Sequence, residues 1–316
     1  MRSDWSAGQR LKNDALYFCA ALGIRVGIAL PRRSLPWLGR QIGRLAHAVL
    51  ASARLQAKSN IERVYPALGA KDKRKLVSLV FQSLGENLLD TLALLDPGES
   101  PTRTLFLPDE SRAELSMALA RGKGVVYVTG HLGPWERMAA LLAMDFPITT
   151  VARESYDPRF HPLVYERLRT AHGVEAIYRG QPGAAFAIVR ALRKGRVLGF
   201  PMDLPGRLAT LPVRLLGQPS LLPRGPARIA LRTRAPVVVG TPAPPASDTG
   251  FLRIKIERLA ADDLAPTEAG ERLLTQRIAD ALTARIEALP AHWPWMHPSF
   301  AAAGTPAVLA PVAAAT

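Results

Sequence analysis

Apolar residues recur at helical spacing through the first third of the chain. The stretches 11–22, 35–55 and 71–95 are each predicted to be helices. From about residue 111 the period changes. A helix over 112–120 is followed by short runs rich in β-branched and aromatic residues at 125–129, 148–152, 174–177 and 197–201. Helical stretches at 135–144, 162–171 and 184–194 separate them. Strands that alternate with helices of this length predict an α/β core with a largely parallel sheet, because a parallel pair needs a crossover that a helix supplies. Strands at 237–241 and 251–258, a turn-rich link at 242–250 and a long helix at 268–288 follow. This patterning divides the chain into a helical region (1–110), an α/β core (111–300) and an uncharged Ala- and Pro-rich tail (301–316) with the composition of a disordered segment. No internal repeat is present.

The candidate chemistry sits where one of these strands ends. Val125-Val126-Tyr127-Val128 runs into a Gly-framed loop carrying His131, and Pro134 opens a helix whose first turn holds Glu136. A histidine there can act as a general base, and an acid can orient it. Within one helix, residues five apart lie about 140° around the axis and do not meet. A loop histidine, however, can fold back onto the first helical turn. The spacing itself is weak: chance supplies about half of one such pair with 6 histidines and 26 acidic residues in 316, and His161 with Glu166 is a second copy. His161 follows a polar, turn-like stretch, so context favours His131.

Charge adds a class of partner. The formal net charge is +15, mostly from arginine, which points to anionic partners. The single cysteine, Cys19, excludes an intrachain disulfide and a cysteine-based metal cluster. Residues 1–54 carry nine basic side chains against two acidic ones. The longest apolar stretch there, 15–31, is broken by Arg25, short of the roughly 20 clean residues a spanning helix needs. No cleavage pattern marks a signal peptide. Trp5, Tyr17 and Trp37, set among arginine and leucine, suit helices lying in a membrane interface. No recognition motif for nucleic acid accompanies the charge.

Several stretches, in order, resemble one family. Gly130-His131-Leu132-Gly133-Pro134-Trp135-Glu136 is similar to its histidine–four residues–acid signature. Asn60 to Pro66, Arg153 with Asp157-Pro158, Ile177-Tyr178-Arg179-Gly180, Gly199-Phe200-Pro201-Met202-Asp203, Pro223-Arg224-Gly225-Pro226 and His292-Trp293-Pro294-Trp295-Met296-His297 resemble its further blocks. The chain thus resembles the bacterial lipid A biosynthesis (lauroyl/myristoyl-type) acyltransferases, within the lysophospholipid and glycerolipid acyltransferase superfamily. It departs from them at Pro134, where the family commonly has Asn, and at Met202 and Leu204, which flank Asp203 in place of Pro and Gln.

The resemblance implies transfer of a fatty acyl chain from an acyl carrier protein or coenzyme A thioester to a hydroxyl of a membrane lipid such as a lipid A precursor. It implies a peripheral location at the cytoplasmic face of the inner membrane. The acceptor hydroxyl must lose its proton as it attacks, a task suited to His131, with Glu136 expected to fix the ring tautomer. No Gly-x-Ser-x-Gly elbow is present, which favours direct transfer, and the reaction calls for no metal or cofactor. Arg153, Arg179 and Arg224 are candidate phosphate-gripping groups or ordinary surface arginines. Asp203, at a strand end, is a candidate site residue, a cap or an arginine partner. Trp293 and Trp295 suit an acyl pocket, a membrane surface or the core. A lysophospholipid or glycerol phosphate acceptor, an acyl-hydrolase and a non-enzymatic basic module binding membrane or nucleic acid are the alternatives.

Overall fold

A computed structural model describes residues 5–153, 157–204, 209–245, 250–297 and 300; the tail 301–316 lies outside them. Helices α1 (Ala7–Ala29), α2 (Leu35–Val49), α3 (Ala51–Val64) and α4 (Ala70–Ala93) lead into a short strand β1 (Leu105–Phe106) and helix α5 (Asp109–Leu119). Then come β2 (Val125–Thr129), α6 (Trp135–Ala143), β3 (Ile148–Arg153), a π-helical turn (His161–Glu166) continuing as α7 (Arg167–Ala171), β4 (Glu175–Arg179), α8 (Ala184–Arg193) and β5 (Val197–Pro201). A hairpin of β6 (Thr210–Leu215) and β7 (Gln218–Pro223), helix α9 (Gly225–Thr233), strands β8 (Val237–Ala243) and β9 (Leu252–Leu259), and helix α10 (Glu268–Ala288) complete the chain.

Seven strands form one sheet in the order β1-β9-β8-β2-β5-β3-β4. All its pairs are parallel except β8 with β9, so the predicted largely parallel α/β core is the observed one. The central strands are covered on both faces and therefore read as continuous apolar runs. Along β2 the alternation sorts side chains between two cores. Val125 and Tyr127 pack with α5 and α6, while Val126 and Val128 face α9, α10 and, from the N-terminal region, Ala57 of α3 and Val80 and Phe81 of α4. The N-terminal helices thus share a core with the sheet.

Three local features differ from the sequence expectation. The predicted helix 35–55 breaks at Leu50 (φ −89°, ψ 69°), where the Arg54 guanidinium turns back onto the carbonyls of His47 and Ala48 and terminates α2. The hairpin β6–β7 has no strand signature in sequence, because Pro212, Pro219 and Pro223 interrupt its strands, which a two-stranded edge element tolerates. Its two-residue turn, Leu216-Gly217, has positive φ at both positions, matching the right-handed twist of the strands. Helix α9 is too short for its period to stand out in the sequence.

The N-terminal helices present an unpartnered apolar face. Leu11, Phe18, Leu22 and Val26 lie along one stripe of α1, each about half exposed or more, and Trp37, Leu45 and Val49 of α2 are equally open. Of the three aromatics expected at a membrane interface, Trp5 and Tyr17 instead flank the Arg159 guanidinium, at 5.6 and 4.9 Å. Among the described residues no single helix is both long and apolar enough to cross a membrane; α1 and the segment Arg32–Val49 are so only together, across a 115° bend.

Helices α2 and α4 cross at glycines. A Cβ on Gly43 would lie 2.2 Å from the Phe81 carbonyl oxygen, and one on Gly85 would lie 2.1 Å from that of Gly39. Backbone on both sides leaves no side chain to move aside. Gly43→Ala is expected to lower stability by at least the ~1–3 kcal/mol typical of overpacking. Gly8→Ala, in α1 with nothing within 4 Å, should be neutral or stabilise by up to about 1 kcal/mol. Urea denaturation of both variants checks the contrast.

Candidate functional site

The site forms at the carboxyl edge of four adjacent strands, where open parallel sheets collect ligands. Strands β2 and β5 are paired so that Thr129 lies opposite Pro201, and Met202 N–H donates to the Thr129 carbonyl at 2.9 Å. His131 and Asp203 each follow two residues beyond that matched pair. This register brings them together. The His131 backbone N–H donates to Asp203 Oδ2 at 2.7 Å, and its ring Nδ1 donates to Oδ1 at 2.8 Å. Only a small residue fits at Gly130, where a Cβ would lie 3.1 Å from Oδ2.

The orienting acid is therefore Asp203, and the expectation that Glu136 would fix the ring is corrected. Helix α6 begins at Trp135, whose ring meets the imidazole edge-on at 5.3 Å. Glu136 lines the same cavity and adds negative charge near the imidazole, but forms no hydrogen bond or ion pair among the described residues. The second copy of the spacing behaves differently. His161 Nδ1 and Glu166 stand 3.9 Å apart on the π-helical turn, with the His161 ring against Tyr178.

Asp203 has no solvent exposure. Its Oδ2 also accepts from Trp293 Nε1 at 2.8 Å, which gives Trp293 a role that its sequence context left open. Trp293 and Trp295 are both fully buried, with rings edge-to-face at 4.9 Å. The surrounding segment is tied to the N-terminal helices. Asn60 Nδ2 of α3 donates to the carbonyls of Trp295 (2.7 Å) and His297 (2.8 Å), and His292 Nδ1 pairs with Ser83 Oγ of α4 at 2.9 Å. The His292 carbonyl in turn accepts from Gly133 N–H in the His131 loop.

These contacts set the proton affinities. Burial alone would pull the His131 imidazole down; the charge and hydrogen bond of Asp203, helped by Glu136, outweigh it and leave the pKa above its ordinary 6.5. Burial pushes Asp203 up, but His131 and the Trp293 indole prevail and hold the carboxyl below its ordinary 3.8. His292 and His297 are both lowered by burial, His297 further by the His131 charge.

A cavity of about 1,110 Å³ opens at His131 and runs between α6 and the sheet, over Tyr127, Met138, Leu142, Ile148 and Val197. Its rim is cationic. Arg153 and Arg179 end β3 and β4 as register partners and both line it. Burial and the neighbouring Arg153 lower the Arg179 pKa. Neither guanidinium has a carboxylate partner among the described residues. Arg224 does not join them. It opens α9 and pairs with Glu271 and Glu268 of α10, because Glu271 is buried and needs cations, which Arg224 and Arg228 supply. Tyr165, Arg169 and His297 also line the cavity and were not singled out from sequence. Tyr165 and Arg169 fall in the predicted helical run 162–171, where no local pattern marks them, and His297 closes the Trp-rich block.

Comparison with known proteins gives one family and several distant relatives. The sequence model of a family described as bacterial lipid A biosynthesis acyltransferase matches residues 9–302. A lipid A biosynthesis palmitoleoyltransferase of Escherichia coli (strain K12) is 28% identical over 177 residues, 56% of each chain. A phosphatidylinositol mannoside acyltransferase of Mycobacterium tuberculosis (strain CDC 1551 / Oshkosh) is 26% identical over 193 residues, 60% of this chain and 58% of its own. The chain thus spans little more than half the length of the relatives it matches.

The His131–Asp203 pair predicts a titration. The His131 C2–H resonance of the native protein should titrate with a midpoint above 6.5, and Asp203→Asn should lower that midpoint, because burial, aided by the Arg179 charge, is then opposed only by the charge of Glu136. Stability follows the same signs. The raised His131 contributes in full below pH 6.5, and that contribution is lost as pH rises through its folded pKa. The lowered Asp203 contributes above pH 3.8 and is lost as pH falls through its folded value. NMR titration and pH-dependent denaturation measure both.

Proposed function

The chain belongs to the bacterial lipid A biosynthesis acyltransferase family, and from that premise we propose that it is an O-acyltransferase. It moves a fatty acyl chain from an acyl carrier protein or coenzyme A thioester onto a hydroxyl, or the hydroxyl of a hydroxyacyl chain, of a membrane glycolipid such as a lipid A precursor. The observation that carries this reading is the His131 ring, held at Nδ1 by a buried carboxylate and lining a cavity with an apolar floor and a cationic rim.

With the Nδ1 proton committed to Asp203, Nε2 is the basic nitrogen. It takes the proton of the acceptor hydroxyl as that oxygen attacks the thioester carbonyl. The tetrahedral intermediate collapses by expelling the thiolate, which recovers the proton from Nε2. Asp203 stabilises the transient imidazolium, the task of the acid in a hydrolase triad. Glu136 raises the basicity of His131 through its charge and accepts a hydrogen bond from the acceptor in the cavity. Arg153 and Arg179 engage phosphate on donor or acceptor, since guanidinium forks match phosphate oxygens. The acyl chain lies along the floor under α6.

The exposed apolar stripe of α1 and α2 rests on the cytoplasmic face of the inner membrane, and the surrounding arginines meet anionic headgroups. This arrangement brings a membrane-embedded acceptor to the protein without a spanning helix.

Purified protein supplied with a labelled acyl thioester and a bacterial lipid extract should produce an acylated lipid identifiable by mass spectrometry. His131→Ala is expected to lose about 10²–10⁴-fold in rate, the range for removal of a general base; full activity in that variant overturns the mechanism. Because His131 must be neutral to act, kcat/KM should rise with pH through a limb above 6.5, and Asp203→Asn should move that limb to lower pH while reducing the rate.

A further inference from the structure

Helix α8 leaves the cavity just after Gly180, which lines it, and returns the chain to the start of β5. Its inner side packs through Ala191 and Leu192 into the core. The outer side carries Phe186, Arg190 and Arg193 at positions i, i+4 and i+7, so they stand in one row about 10 Å long. Lys194, the residue that caps the helix, continues the row. All four are exposed, and Phe186, at 83%, is the most open large apolar side chain among the described residues. Exposed Lys123 stands beside the end of α8, because a Cβ on the next residue, Gly124, would lie 2.7 Å from the Leu192 carbonyl oxygen. The helix contains no acidic residue. None of these four cations has a carboxylate partner among the described residues, and nearby Glu175 is already paired with Arg196.

We propose that the outer face of α8 docks a small acidic carrier protein that presents the acyl group on a flexible arm, with Phe186 as the apolar contact and Arg190, Arg193, Lys194 and Lys123 meeting its carboxylates. An exposed helix face lacks the concavity that holds a free nucleotide, and an aromatic side chain among arginines is the composition of a protein contact. The row begins beside the cavity, so an arm can enter there while its carrier rests on the helix. The apolar stripe assigned to the membrane lies elsewhere. Helix α1 packs through Ile24 against Ala140 of α6 and Leu168 of α7, on the face of the sheet opposite to α8. That the docked protein carries a thioester rests on the acyl-transfer reading; that the face binds an acidic protein does not.

The test compares the native protein with the double variant Arg190→Glu/Arg193→Glu and with Phe186→Ser. The probe is purified bacterial acyl carrier protein loaded with a fatty acyl chain. Its affinity should fall roughly 10- to 100-fold in the double variant, where like charges meet, and roughly 3- to 10-fold in Phe186→Ser. Added sodium chloride should weaken native binding and affect the double variant less. In turnover, the ratio of kcat/KM for the carrier-borne thioester to that for acyl pantetheine, which brings no protein to dock, should fall by similar factors. Native affinity retained in both variants, an unchanged ratio, or a native protein that does not bind the carrier overturns the proposal. Vesicles of phosphatidylcholine with phosphatidylglycerol test the other anionic surface: variants that lose vesicle binding while keeping the carrier make α8 a lipid contact, which also overturns it. If the native protein binds the carrier through α8 but transfers no acyl group, the acyl-transfer reading fails and the docking face stands. If it transfers acyl groups and the variants match it with every donor, the docking face fails and the acyl-transfer reading stands.

Discussion

The buried carboxylate of Asp203 joins three distant parts of the chain. It accepts from the backbone and ring of His131 after β2, from the Trp293 indole near the C-terminal end, and itself extends from β5. A carboxylate with no solvent exposure is costly unless its oxygens are satisfied. Here all three donors are needed, so the ring orientation, the loop after β2 and the seating of the Trp293 segment are coupled. Through Asn60 and Ser83 that coupling reaches α3 and α4. The N-terminal helices therefore support the site as well as offering an apolar face to the outside.

Helix α6 shows the same economy from the other side of the cavity. Two consecutive residues in its first turn point different ways because the helix advances about 100° per residue. Glu136 lines the cavity, while Arg137 is fully buried and binds Asp90, Glu99 and the Ser100 carbonyl. Arg103 and Arg32 extend this ionic group. Burial pushes the Glu99 carboxyl upward, but the hydrogen bonds and charges of Arg103 and Arg137 prevail and hold it below its ordinary pKa. A rigid anchor behind the helix leaves Glu136 and Trp135 correctly placed in front.

The arginine surplus separates into two groups on the same grounds. Arg137, Arg224, Arg228 and Arg285 neutralise acids within the fold. Arg153, Arg169 and Arg179 line the cavity with no internal acid to balance them. Net charge alone does not tell the two groups apart; only the packing shows which cations share the cavity without an acid to balance them.

The sequence by itself determined the alternation of strands and helices, the end of β2 as the place of His131, and the arginines at the ends of β3 and β4, because each depends on local periodicity and on where a strand stops. Tertiary structure decided which acid holds the imidazole. Asp203 is 72 positions away in sequence, and only the parallel register of β2 with β5 makes it a neighbour while the five-residue neighbour Glu136 is held off. It likewise removed Arg224 from the site, since the buried acid that claims it lies 47 residues further along. It broke the helix at Leu50, where the Arg54 side chain turns back onto α2, set the Trp293 indole on Asp203 and brought Arg169 to the cavity. Periodicity reports which way a side chain faces within its own element; what it meets there is set by long-range packing.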